Sequence, residues 1–415
     1  MINFSRFTLD NGLRILVHED RSTPLVSMNL LYDVGSRDED PEMTGFAHLF
    51  EHLMFGGSVN VPDYDAPLQM VGAENNAFTS NDITNYYLTV PADNIETGFW
   101  LESDRMLELS FSRKNLDIQK NVVIEEYKQR YLNQPYGDAI LVLRPMVYKV
   151  HPYRWPTIGK DILHIENADL QKVREFFFSH YAPNNAILCL SGNISESRVR
   201  ELSEKWFGPV ERRKISTRNI TPEPVQTEER RAAIEKNVPA DALYKVWHTT
   251  PRLHEDFHTL DLLTDILSGG ESGRLYVKLV RDKKLFSELN AYITSDIDPG
   301  MLMLHGSLMK GVELEEAEKA VEEVIGELLD GPDIPADELE KVKNKYESST
   351  VFTNTSALNK AINLCFYELL GNPDLINQET ALYRKVTADM VHDAANRYLS
   401  PSNCSTLYYR ALRSE

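Results

Sequence analysis

The residues best suited to chemistry lie in GFAHLFEHLMFGG, positions 45 to 57, where His48, Glu51 and His52 stand in the order H-x-x-E-H. On a helix, His48 and His52 fall one turn apart on one face, so both imidazoles can reach one divalent ion at about 2.0–2.1 Å. Glu51 then lies near the metal without being a required ligand, placed to take a proton from a bound water. This is H-E-x-x-H written backwards, but the i to i+4 spacing of the histidines is what matters. The competing reading is a helix carrying two hydrogen-bonded histidines.

A catalytic zinc site needs a third protein ligand and an open fourth position. The candidate is Glu126 in QKNVVIEEYKQR, four residues after Val122 and three after Val123, on what reads as their inward face. Glu125 follows Asn121 and looks outward. A carboxylate on an apolar face needs a compensating cation, which zinc supplies. The alternative is that Glu125 and Glu126 form a solvated acidic pair.

These residues need helices to hold them. Thr44 to Met54 reads as helical, with Phe46, Leu49, Phe50 and Leu53 as its apolar face and the acidic stretch RDEDPEMT capping its start. The first half of the chain runs strand, acidic turn, apolar helix and then Gly56-Gly57. The second half repeats that order and closes on Gly269-Gly270. A charged helix follows later in each half, NLDIQKNVVIEEYKQR in one and ELEKVKNKYESST in the other. The predicted fold class is therefore α+β, two diverged copies of one unit. Aligning the double glycines puts Asp261, Thr264 and Asp265 opposite His48, Glu51 and His52, so only the first copy is expected to bind zinc, one ion per chain.

The chain has 415 residues, 42% hydrophobic and 26% charged, which suits a soluble protein of more than one domain. Positions 209–236 are polar and proline-bearing and read as a linker, giving a zinc domain over 1–208 and a second, zinc-free domain over 237–415. A formal net charge of −19 argues against nucleic acid as a partner. No apolar run is long enough to span a bilayer, so no membrane partner is expected. The N-terminus reads as a hairpin around Asp10-Asn11-Gly12 and not as a leader; with Met1 first, removal of a leader is the less favoured reading. Cys189, Cys365 and Cys404 lie far apart, without metal or redox spacing, and read as reduced thiols of a cytoplasmic protein. His248, His254 and His258 read as structural or exposed. SGGESGR lacks the ending of a phosphate loop.

HLFEH followed after a long interval by NVVIEEYKQR resembles the inverted-motif zinc peptidases of the pitrilysin/insulinase type, which include the mitochondrial processing peptidase. FTLDNGLRILVHED, GAENNAFTSNDITNYYLTVP and SGRLYVKLVRDKKL resemble further segments of that family, so the likeness runs along essentially the whole chain. It implies His48, His52 and Glu126 as zinc ligands, Glu51 as general base, and two domains per chain, each a mainly antiparallel sheet with packed helices. It also implies a chamber closed by a second, similar subunit, hydrolysis of peptides or short unfolded segments, and substrate added as a strand near Asn76 and Ala77.

The sequence departs from that family at one place. Members pair an arginine with a tyrosine seven residues on to hold the substrate carbonyl. Arg281 is present, but the tyrosine position is Glu288, and Tyr292 lies four residues late. An ionised glutamate cannot donate to an oxyanion. A heterodimer whose partner supplies the pair is favoured, with a homodimer possible. Gln119 also stands where relatives often carry glutamate. The alternative function is a non-catalytic, core-like subunit of a peptidase complex.

Overall fold

In the computed structural model, residues 1–331 and 334–412 are described. The strands in chain order are β1 (Ser5–Thr8), β2 (Arg14–Glu19), β3 (Leu25–Tyr32), β4 (Glu74–Thr79), β5 (Thr84–Pro91), β6 (Ala186–Gly192), β7 (Arg230–Lys236), β8 (Ala242–His248), β9 (Phe286–Ile293), β10 (Met301–Leu308) and β11 (Cys404–Ala411). The helices that matter for the site are α1 (Phe46–Leu53), α2 (Arg113–Tyr127), α3 (Ala139–Val147), α4 (Phe257–Ser268), α5 (Leu314–Leu329), α6 (Ala336–Thr353) and α7 (Ala357–Leu369).

Two sheets share one topology. The first runs β1-β2-β6-β3-β5-β4 and the second β7-β11-β8-β10-β9. In each, the opening strand pairs in parallel with the closing strand, β2 with β6 and β7 with β11. The other pairings are antiparallel. The repeat read from the double glycines is thus a repeat of architecture, with β1 added at the edge of the first sheet in a hairpin with β2. That hairpin turns at Gly12, whose φ of +94° suits glycine.

The units are not the two halves of the sequence. One comprises residues 1–129, 155–220 and 351–378, and the other 130–154, 221–350 and 379–415. Each half lends a helix to the other half's sheet. In the first unit α7 buries Ala361, Leu364 and Cys365 against Leu16, Leu31, Ile187 and Cys189. In the second, α3 buries Ala139, Leu143 and Val147 against Val246, Met301, Met303 and Leu407. Fully burying each leucine and valine among these is worth about 1.5–3 kcal/mol, which explains why the helices sit there and not in solvent.

The expected linker at 209–236 is only partly irregular. The break between units falls between Ile220 and Thr221, but Arg230–Lys236 form β7, whose alternating exposure fits an edge strand. Before the break, Arg218 forks onto Asp33 and Asp38 of the first unit. After it, Glu223 accepts the backbone N–H groups of Lys149, Val150 and His151 in the second. The stretch is fastened at both ends by charged side chains, which its polar composition alone does not reveal. Likewise Cys189 and Cys365, distant in sequence, share one core cluster. Among the described residues all three cysteines are buried and free, and no helix is long and apolar enough to cross a membrane.

Candidate metal centre and active site

The motif helix α1 buries Phe46, Ala47, Leu49, Phe50 and Leu53, leaving His48, Glu51 and His52 on its partly open face. Phe50 anchors it by stacking on Tyr181 and Phe176 at centroid separations of 5.2 and 5.0 Å. The helix starts two residues later than expected, because Gly45 takes a left-handed conformation, φ +89°, where a Cβ would come within 2.6 Å of Ile158 O. The expected acidic cap is one residue. Buried Glu39 accepts the N–H of Gly45 at 2.9 Å and of Ala47 at 2.8 Å. Burial pushes its pKa well above the usual carboxylate range, opposed by those two donors.

Glu126 comes from the last turn of α2. Its Oε2 lies 3.6 Å from His48 Nε2 and 3.4 Å from His52 Nε2. Two ligands held about 2.05 Å from one tetrahedral ion must be about 3.3 Å apart, so both separations match coordination better than direct hydrogen bonding. Among the described residues, His48, His52 and Glu126 form the group of three whose ligand atoms all lie within 4.8 Å of one another. The imidazole and carboxylate donors suit zinc. Glu125 instead points outward, 2.8 Å from Lys128 Nζ.

Glu126 does not share an inward face with both valines, contrary to the expectation from its spacing. Val123 is buried, but Val122 is 44% exposed, so Glu126 shares its face with only one of the two valines. A helix turns 100° per residue, and positions three and four back from Glu126 lie on either side of it.

Glu51 is partly buried, and its Oε2 accepts a 2.6 Å hydrogen bond from Thr79 Oγ1 at the end of β4. Sequence reasoning stopped at Asn76 and Ala77 and missed Thr79. The available signal was the period of two, which puts Ala77 and Thr79 on one face of the strand. β4 is the terminal strand of its sheet, so Asn76 and Ala77 lie on an edge, and Ala77 N donates at 2.8 Å to the Asn76 side chain.

Beneath the end of α1 sits a second missed group. Arg105, buried, forks onto Glu102 at 2.7 and 2.6 Å. Its guanidinium lies over Tyr86, Tyr64 and Phe55 at 4.3, 4.5 and 5.5 Å. Burial works against its charge, but Glu102 and the tyrosines hold its pKa above the ordinary arginine value. The cluster braces Phe55, the residue that follows the motif helix.

Sequence patterns of two known domains match the chain: "Insulinase (Peptidase family M16)" over residues 14–141 and "Peptidase M16 inactive domain" over residues 167–346. The chain belongs to peptidase family M16. The first M16 pattern covers His48, Glu51, His52 and Glu126, and the second covers the copy lacking them. A relative, the zinc protease PqqE of Helicobacter pylori, is 27% identical over 97% of this chain and 92% of its own. The crystal structure of a protease from Helicobacter pylori superposes with a TM-score of 0.94 at 25% identity, covering 99% of both chains. The periplasmic protease PqqL from Escherichia coli shares the fold, with a TM-score of 0.79 at 18% identity; this chain spans 48% of that one.

The remaining expected site residues lie in the other unit. Arg281, exposed, donates to Asp282 at 2.8 Å. Glu288 lies on β9 and accepts from Ser307 Oγ at 3.2 Å, while the Tyr292 hydroxyl is 3.2 Å from Met303 Sδ. Of the looser histidines, His258 meets Glu379 at 3.3 Å and His254 lies 3.7 Å from Asp256.

Proposed function

We propose that this M16 chain is a zinc-dependent endopeptidase acting on peptides or short unfolded segments. The observation that carries the reading is the convergence of His48, His52 and Glu126 at ligand spacing, with Glu51 on the helix of the two histidines. Those three residues would hold one zinc ion, which when bound supplies Lewis-acid polarisation of a water and of the substrate carbonyl. Glu51 acts as the base. Its carboxylate, which accepts from Thr79 at Oε2, takes the proton from the attacking water and passes it to the leaving amine nitrogen. The free edge of β4, with Asn76 and Ala77, would align the peptide by strand addition, fixing the scissile bond relative to Glu51.

In this reading Arg281 would contribute to holding the substrate carbonyl. Asp282 engages it here and Glu288 offers no proton when ionised, which supports dependence on a second, similar subunit, a heterodimer before a homodimer. The same feature favours the second reading, a non-catalytic subunit of a peptidase complex. The buried free thiols support a cytoplasmic location.

Metal analysis with quenched-peptide cleavage, with and without chelator, tests the proposal. The expected result is one zinc per chain and chelator-sensitive cleavage, alone or with a partner subunit. Bound zinc without cleavage under any pairing would establish the non-catalytic reading.

A further inference from the structure

β4 presents two functions at one residue. Ser80 N donates to Ile83 O at the hairpin end, so Thr79 and Thr84 are a non-bonded pair, and the alternation makes Ala77 and Asn75 non-bonded toward β5 as well. The backbone N–H and C=O groups of Asn75, Ala77 and Thr79 therefore face the free edge, where a peptide strand would pair. Their side chains share one partly buried face, and on that face Thr79 Oγ1 reaches Glu51 Oε2 at 2.6 Å. That length is typical of a hydroxyl donating to a carboxylate.

Thr79 is also rigidly set. It is β-branched, with a stiff χ1. The hairpin end just beyond it is tied to the β3–α1 connection by Ser36 N to Ser80 O at 3.2 Å and Arg37 N to Asn81 O at 2.9 Å. Gly35 makes that approach possible, since a Cβ there would collide with the backbone of Asn81 and Asp82. Arg37, buried, adds a 2.9 Å pair with Asp82.

We infer that Thr79 is a positioning residue that registers the general base to the bound peptide, its backbone pairing with substrate while its hydroxyl fixes the Glu51 carboxylate. The inference rests on the peptidase reading above. Without the hydroxyl, the Glu51 carboxylate loses the hydrogen bond that orients its Oε2, and its aim at the water proton shifts. A misplacement of about 1 Å costs on the order of 10²-fold in rate.

The test is Thr79→Val, which keeps shape and strand preference, beside Thr79→Ser. Thr79→Val is expected to lower kcat about 10- to 100-fold while KM and zinc content stay within about twofold, because strand pairing uses backbone atoms. Thr79→Ser should restore most of kcat. In a Glu51→Gln background, Thr79→Val should add no further loss. Unchanged kcat, a loss confined to KM, or loss of zinc would each overturn the inference. A crystal structure of metal-free Thr79→Val separates this from the parent reading: displacement of the Glu51 carboxylate supports the positioning role even if no cleavage is ever found, and an unmoved carboxylate refutes it.

Discussion

In the first unit α1 carries His48, Glu51 and His52 while α2 brings Glu126; at the same place in the second, α4 carries Asp261, Thr264 and Asp265 while α6 brings Lys345. Where Glu126 stands 3.4 Å from His52, Lys345 Nζ stands 2.6 Å from Asp265. Where His48 completes the cluster, Asp261 accepts from the Tyr383 hydroxyl at 2.6 Å. Behind it, Arg252 pairs with buried Glu379, which also meets His258 at 3.3 Å and the Tyr346 hydroxyl at 3.2 Å. The second unit thus closes its charges internally, ammonium on carboxylate and guanidinium on carboxylate. The first gathers two imidazoles and a carboxylate at the spacing a cation would set. One scaffold of two helices over a sheet accepts either arrangement, because the sheet and the apolar faces hold the helices. The polar residues decide whether the junction is a metal site or a brace.

The contrast is most exposed to Glu51→Gln. Hydrolysis should fall about 10³-fold with zinc retained, read by peptide cleavage and metal analysis; cleavage at the original rate would remove Glu51 as the base. Next, Glu126→Ala should lower zinc occupancy, whereas Lys345→Ala at the matching place should leave it unchanged. Equal zinc loss in both would dissolve the distinction between the units.

Within the second unit, Glu379→Gln strands the buried Arg252 guanidinium and should cost about 3–5 kcal/mol in chemical denaturation. The pair also carries a pH signature. Burial pushes Glu379 up, but the hydrogen bond from His258 and the charge of Arg252 outweigh it and hold its pKa at about 2. A carboxyl lowered in the fold stabilises above its unfolded pKa of about 4.3 and loses that contribution as pH falls toward 2, here about 3 kcal/mol. Acid titration of stability should show the loss in wild type and not in Glu379→Gln. The smallest effect belongs to the half-exposed Lys345–Asp265 pair: Lys345→Ala should cost under about 1 kcal/mol.

Much of the site is legible in one dimension. A helix fixes the relation of His48 to His52 through its 3.6-residue turn, and the shared order of elements ending in double glycines gives the repeat. Thr79 was not legible as a partner of Glu51, because strand-to-helix contacts depend on how the hairpin packs. The helices α3 and α7 were invisible as exchanged elements for the same reason: their apolar faces mark them as buried without naming the sheet.

The sequence by itself determined the local constellation: which donors exist, their spacing within one helix, and that the second copy lacks them. Only the tertiary structure decided that the Glu126 carboxylate, over seventy residues on, meets the two imidazoles at 3.4 and 3.6 Å, and that the Thr79 hydroxyl meets the Glu51 carboxylate. The physical reason is range. Periodicity acts over a turn or two, whereas contacts between separate elements follow from apolar faces that can pack in several ways until the whole core chooses one.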